Sequence, residues 1–210
     1  MASGKTRHLL TEIDTLRKYG HKKIAVFKPR TDTRSGLSFI RSRKGDEDAA
    51  EEISATEPRE LWRILEEKEF DAGCRFEVIA FDEVQFFPRD SGFFQVVKHL
   101  LDEGYDVLAA GLAFDFRGEP FGSTPDLAML AEDRCMWLTA YCTRCGTRAP
   151  YPQRIINGQP AHYNSPQIFV GGDETYEPRC DEHFVLPGRP VPGYSDPAEP
   201  RLFELDSSLR

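Results

Sequence analysis

Two short spacings late in the chain, Cys142-Thr143-Arg144-Cys145 and Cys180-Asp181-Glu182-His183, restrict its architecture more than any other stretch of its 210 residues. Zinc favours four sulfur or nitrogen ligands in a tetrahedron, and a two-residue spacer lets one tight turn present a pair of them. Cys142, Cys145, Cys180 and His183 would fill all four positions, so the expected zinc is structural and not catalytic. Past about Tyr141 the sequence is rich in Cys, Pro, Gly and Tyr and has no helical periodicity. Such a loop-rich unit lacks a core of its own and depends on the metal to hold it. The total of five cysteines is odd, which suits no closed disulfide framework, and Cys74 and Cys135 read as small core residues.

Upstream the texture is that of an α/β chain. Leu9, Leu10, Ile13 and Leu16 recur at helical spacing and predict a helix over 6–19, stopped by Gly20. Residues 23–27 form a short apolar run, read as a buried strand, and the polar stretch 29–48 reads as a mobile loop. A second helix is predicted over 58–68, a strand over 76–81, a helix over 93–103 and a strand over 106–110. Strands alternating with helices imply a parallel sheet covered on both faces. The expected organisation is a nucleotide-binding core over 1–140, a zinc ribbon over 141–184 and a disordered Pro-rich tail over 185–210.

Ser3-Gly4-Lys5-Thr6 leads straight into the first helix and matches the end of the phosphate loop G-x-x-x-x-G-K-[ST]. Such a loop points backbone N–H groups at an anion from a helix N-terminus, where the dipole favours negative charge. Its lysine reaches the outer phosphates and its hydroxyl meets magnesium. The motif's first glycine would stand two positions before Met1, and no residues are present for the strand that feeds the loop. A central first strand is therefore expected to be missing from the chain as written. The acidic counterpart is present: an apolar strand ends in Asp82-Glu83, as the metal-holding element beside a phosphate loop does.

Taken together, these segments resemble one family, the type II thymidine kinases, the cytosolic zinc-containing class. The resemblance spans about residues 1–184 and rests on Met1-Ala2-Ser3-Gly4-Lys5-Thr6, Lys28-Pro29-Arg30-Thr31-Asp32-Thr33-Arg34 and Phe81-Asp82-Glu83-Val84-Gln85-Phe86-Phe87. It continues through Asp115-Phe116-Arg117-Gly118-Glu119-Pro120-Phe121-Gly122, the CxxC pair, Val170-Gly171-Gly172-Asp173-Glu174-Thr175-Tyr176 and the CxxH pair. It implies a P-loop kinase core with a zinc-held lasso, transferring the ATP γ-phosphate to the 5′-hydroxyl of thymidine, with deoxyuridine as a second substrate.

The implied roles fall on individual residues. Glu83 is expected to be the general base, since a carboxylate can orient and deprotonate a primary hydroxyl as it attacks. Lys5 and Arg34 would offset charge on the transferring group. Ser3, Gly4, Thr6, Asp32, Asp82, Val84 and Gln85 would complete the ATP and magnesium site. For the base, the likeness implicates Met1, Phe86, Phe116, Phe121, Val170, Gly171, Gly172 and Tyr176, which would supply flat apolar walls and close backbone approach. Where relatives carry Asp this chain has Ala113, and where Thr is common it has Pro152. The family further implies a homotetramer and feedback by thymidine triphosphate.

Composition narrows the alternatives. No apolar run approaches the roughly 18 residues of a membrane span, and the N-terminus lacks the apolar core of a secretory signal. A cytoplasmic protein with no membrane partner is expected. The net charge is −8, from 35 acidic and 27 basic residues, whereas a duplex binder needs a basic face to displace counterions. The competing reading is a zinc-ribbon protein that binds nucleotide or nucleic acid over a decayed kinase site. Retention of Lys5, Thr6, Asp82 and Glu83 together opposes it, because a binder has no use for a base.

Overall fold

The computed structural model describes residues 2–32, 38–168 and 174–190. Its centre is a parallel sheet built from β1 (Ile24–Pro29), β4 (Glu51–Ile53), β5 (Val78–Phe81) and β6 (Asp106–Ala109), in the order β4-β1-β5-β6. Continuous apolar runs on β1 and β5 bury every residue, as strands covered on both faces must.

Alternation along each strand sorts the core into two layers. Ile24, Val26, Val78 and Ala80 pack with Leu9, Leu10 and Ile13 of α1 (Lys5–Lys18). Ala25, Phe27, Ile79 and Phe81 face the opposite side, toward α2 (Leu61–Ala72) and α3 (Phe93–Asp102). Helix α3 presents Phe93, Val96, Val97 and Leu100 at helical spacing. Phe93 stands edge-on to Phe81 at 5.1 Å and stacks on Phe87 at 3.8 Å, which ties the chain after β5 to this layer.

Strands and helices up to β6 fall close to the positions the sequence predicts, with the following differences, and α4 (Thr124–Ala131) lies where no element is predicted. The stretch 29–48 is not wholly loop: β2 (Phe39–Arg41) and β3 (Glu47–Ala49) pair antiparallel within it. Within β2 and β3 Ile40 is the one buried residue, packed in the α1 layer, so the pattern gives only one apolar position to read. Strand β4 carries no strand signal in the sequence; it is acidic and pairs along one edge of β1. Gly20 does not take a left-handed cap. It follows the helix where an added Cβ would press on the Leu16 carbonyl, so close approach is what calls for glycine there. No strand precedes α1 among the described residues, and β6 is an outer strand whose residues are half-buried or exposed.

Beyond α4 (Thr124–Ala131) the architecture becomes antiparallel. A short ladder joins β7 (Ala140–Tyr141) to β8 (Arg148–Ala149). A three-stranded sheet runs β10-β9-β11, from β9 (Tyr151–Ile156), β10 (Gln159–Pro160) and β11 (Glu174–Arg179).

Candidate functional site

The phosphate-loop end and the acidic strand end meet at the carboxyl edge of the parallel sheet. Gly4 adopts φ 84°, a left-handed conformation that glycine reaches without a Cβ penalty, and its carbonyl opens α1 by accepting from the His8 N–H at 2.9 Å. Thr6 then donates its hydroxyl to the Asp82 carboxylate at 3.0 Å, across 76 residues of sequence. A hydroxyl and a carboxylate at this distance beside a helix N-terminus suit a magnesium-bound phosphate, because both can offer oxygens to a hard cation. Lys5 is half-buried next to them.

Asp82 is 2 % exposed, and burial, followed by the neighbouring Glu83, pushes its carboxyl up to about 7, against the opposing pull of Thr6 and Lys5. A cation between these groups would reverse that balance and hold Asp82 ionised.

Glu83 takes φ 54° and ψ 42°, a conformation that a non-glycine residue adopts at a cost of roughly 1–3 kcal/mol. Its surroundings enforce it. The Glu83 N–H donates to its neighbour's Asp82 Oδ1 at 3.0 Å, and the Val84 N–H donates to the Ala110 carbonyl at 3.0 Å. Gln85 donates its amide to the Glu83 carboxylate and accepts from the Leu112 N–H at 2.9 Å. Gln85 is thus an orienting group for Glu83, anchored to the chain after β6. Gly122 explains why the D-F-R-G-E-P-F-G segment ends in glycine: φ is 52°, and a Cβ would overlap the Gln85 carbonyl oxygen.

Two other groups border this edge. Asp32 is buried, and the fully buried Lys28 donates to its carbonyl at 3.1 Å and lies 3.4 Å from Glu52. The sequence signal that marks Lys28 is a lysine inside a strand of apolar neighbours. Arg34 lies outside the described residues.

The residues expected at the base fall into two groups. Phe86 and Phe121, which come shortly after Glu83 and just before Gly122 in sequence, meet edge to face at 5.9 Å, so the structure brings these two rings together. Phe116 is 2 % exposed and lies under the guanidinium groups of Arg117 and Arg154, with Cζ 4.7 and 5.1 Å from its ring centroid. Tyr176, on β11, has the Arg154 Cζ 5.9 Å above its ring. Phe116 and Tyr176 therefore share one buried arginine. Met1, Val170, Gly171 and Gly172 lie outside the described residues. Arg154 and Arg117 were not assigned roles from sequence.

The metal cluster assembles as the spacings require. Cys142 follows β7 in a turn closed by the Gly146 N–H on the Cys142 carbonyl at 2.8 Å, which also presents Cys145. Cys180 follows β11, and the His183 N–H returns to the Cys180 carbonyl at 3.1 Å. All four ligand atoms lie within 4.8 Å of one another; Sγ of Cys145 and Cys180 are 3.6 Å apart, and Cys180 Sγ is 3.2 Å from His183 Nδ1. Tetrahedral ligands about 2.3 Å from zinc stand roughly 3.8 Å apart, so the cluster can hold that ion. Thr147, helped by Cys145 and the His183 backbone, holds the Cys180 thiol down to about 7 against the effect of burial, which favours the thiolate a metal needs.

Comparison with known proteins bears on the whole arrangement. Residues 1–184 match the family model described as thymidine kinase. A thymidine kinase of Thermococcus kodakarensis is 40 % identical over 187 residues, 89 % of this chain and 91 % of that one. One from Pyrobaculum aerophilum is 39 % identical over 188 residues, 89 % of this chain and 95 % of that one. One from Mycoplasmoides gallisepticum is 38 % identical over 191 residues, 91 % of this chain and 80 % of that one.

Proposed function

The chain belongs to the thymidine kinase family, and from that membership we infer that it transfers the γ-phosphate of ATP to the 5′-hydroxyl of thymidine. The observation that supports the catalytic assignment is Glu83, held in a left-handed backbone conformation by Gln85 and set directly beside the Thr6–Asp82 pair. In this reading the thymidine 5′-oxygen attacks the γ-phosphorus while the bond to the β–γ bridging oxygen breaks. The hydroxyl proton passes to the Glu83 carboxylate, and ADP departs. Lys5 and the N–H groups at the start of α1 face the phosphates. Magnesium, when bound with ATP, neutralises the β- and γ-oxygens; Thr6 and Asp82 are the residues that would hold it.

Asp32 and Arg34 border the phosphates; Ser3, Gly4, Val84 and Gln85 complete the nucleotide side; Phe86, Phe121, Phe116 and Tyr176, with Met1, Val170, Gly171 and Gly172, take the base. The kinase unit occupies 1–140 and the zinc-held unit 141–184. The protein works in the cytoplasm as a homotetramer under feedback by thymidine triphosphate. Among the described residues no helix is long and apolar enough to cross a membrane.

Glu83→Gln tests the assignment against a nucleotide binder without turnover. The substitution keeps size and hydrogen bonding but removes the base, so kcat should fall by roughly 10²–10⁴-fold while ATP affinity is retained. Unchanged turnover would remove Glu83 from the mechanism.

A further inference from the structure

The segment 161–168 has neither helix nor strand, so its carbonyl groups need partners from elsewhere. Two arginines supply them. Arg117 donates Nε to the Tyr163 carbonyl at 2.7 Å and Nη2 to the Ser165 carbonyl at 2.6 Å. Arg154 donates Nη1 to the next carbonyl, that of Pro166, at 2.6 Å. Asp115 closes the unit: its carboxylate accepts from the Arg117 N–H at 2.8 Å, from the Glu119 N–H at 3.1 Å and from the Gln167 amide at 2.9 Å.

Both guanidinium groups also lie over a single ring, that of Phe116, and Arg154 lies over Tyr176 as well. Arg154 is fully buried in β9. Taking a guanidinium out of water is expensive, and planar stacking on aromatic faces is among the few environments that offset it. A staple that merely satisfied loop carbonyls would need neither full burial nor two guanidinium groups on one ring.

We propose that Arg117 and Arg154 form a paired clamp that positions Phe116 and Tyr176 for thymidine, by fixing both rings and the 163–167 segment to one rigid unit. They are positioning residues, acting through the two aromatics; the proposal rests on the thymidine kinase reading above. The chemistry requires a flat, forked cation. Lysine keeps the charge but can neither bridge two carbonyls in one plane nor stack.

Steady-state kinetics of Arg117→Lys and Arg154→Lys in the full zinc-loaded chain test it. Each variant should raise the KM for thymidine on the order of tenfold and leave the KM for ATP within about twofold. Zinc content should not change. Because both act through the Phe116 ring, the double variant should raise the thymidine KM by less than the product of the single effects. Arg117 is only half-buried, so its variant carries the test if Arg154→Lys does not fold. An unchanged thymidine KM in a folded variant, or equal rises for both substrates, overturns the clamp. A wild-type chain with no thymidine phosphorylation overturns instead the functional reading on which it rests.

Discussion

Asp82 and Glu83 are adjacent and both buried, yet their backbones diverge: Asp82 directly follows β5, while Glu83 turns left-handed so that its carboxylate leaves the strand direction. That divergence sends the two carboxylates to different partners, Asp82 to the Thr6 hydroxyl and Glu83 to the Gln85 amide. It also creates a pH dependence. The Asp82 carboxyl is raised from 3.8 to about 7 by burial and by Glu83, so between those values the native state holds more protons than the unfolded one. Its contribution to stability is complete below about pH 4 and is lost as pH rises through about 7. For the magnesium-free protein, Asp82→Asn should therefore melt higher than wild type at pH 8, with the gap narrowing toward pH 4. Magnesium at pH 8 should raise the wild-type melting temperature and leave the variant's unchanged. A variant that melts below wild type at pH 8 would show that Asp82 is not a strained, metal-awaiting charge. This pair was legible in the sequence because an apolar run ending in two acids is a local pattern. Arg154 was not legible, since nothing in Tyr151-Pro152-Gln153-Arg154-Ile155-Ile156 shows that its charge ends up against Phe116.

The elements divide in the same way. Strands β1 and β5 and helices α1 and α3 follow from apolar periodicity, because each buries a face large enough to leave its mark on the sequence. The β2–β3 pair and β4 leave almost none; Ile40 and Ile53 are their buried residues. Two glycines show how one residue type serves two elements. At Gly4, φ is 84° with open space where a Cβ would go, whereas at Gly122 a Cβ would also strike the Gln85 carbonyl. Gly4→Ala should cost about 1–2 kcal/mol from backbone strain alone. Gly122→Ala adds a backbone clash and should cost more than about 2 kcal/mol, read from denaturant midpoints. It should also lower kcat, because Gln85 orients Glu83. Equal losses for the two variants would mean that the contact of Gly122 with Gln85 carries no weight.

At the scale of the whole molecule, a parallel sheet with two apolar layers supports the Thr6–Asp82 pair, and an antiparallel unit whose buried apolar cluster among the described residues is Cys142, Ala149 and Cys180 carries the four candidate metal ligands. So small a cluster gives three strands little apolar support, and a metal held by Cys142, Cys145, Cys180 and His183 would add to their stability. Chelation should strip amide protection from β9 and β11 while α3 and β5 keep theirs, and thymidine affinity should fall before ATP affinity. Retained protection in β9 after zinc removal would contradict a structural role. Transfer of labelled γ-phosphate from ATP to thymidine, followed by identification of the product, tests the central claim most directly. The account predicts saturable, magnesium-dependent formation of thymidine 5′-monophosphate. Binding of ATP and thymidine without transfer would contradict it and leave a nucleotide-binding protein with an idle base.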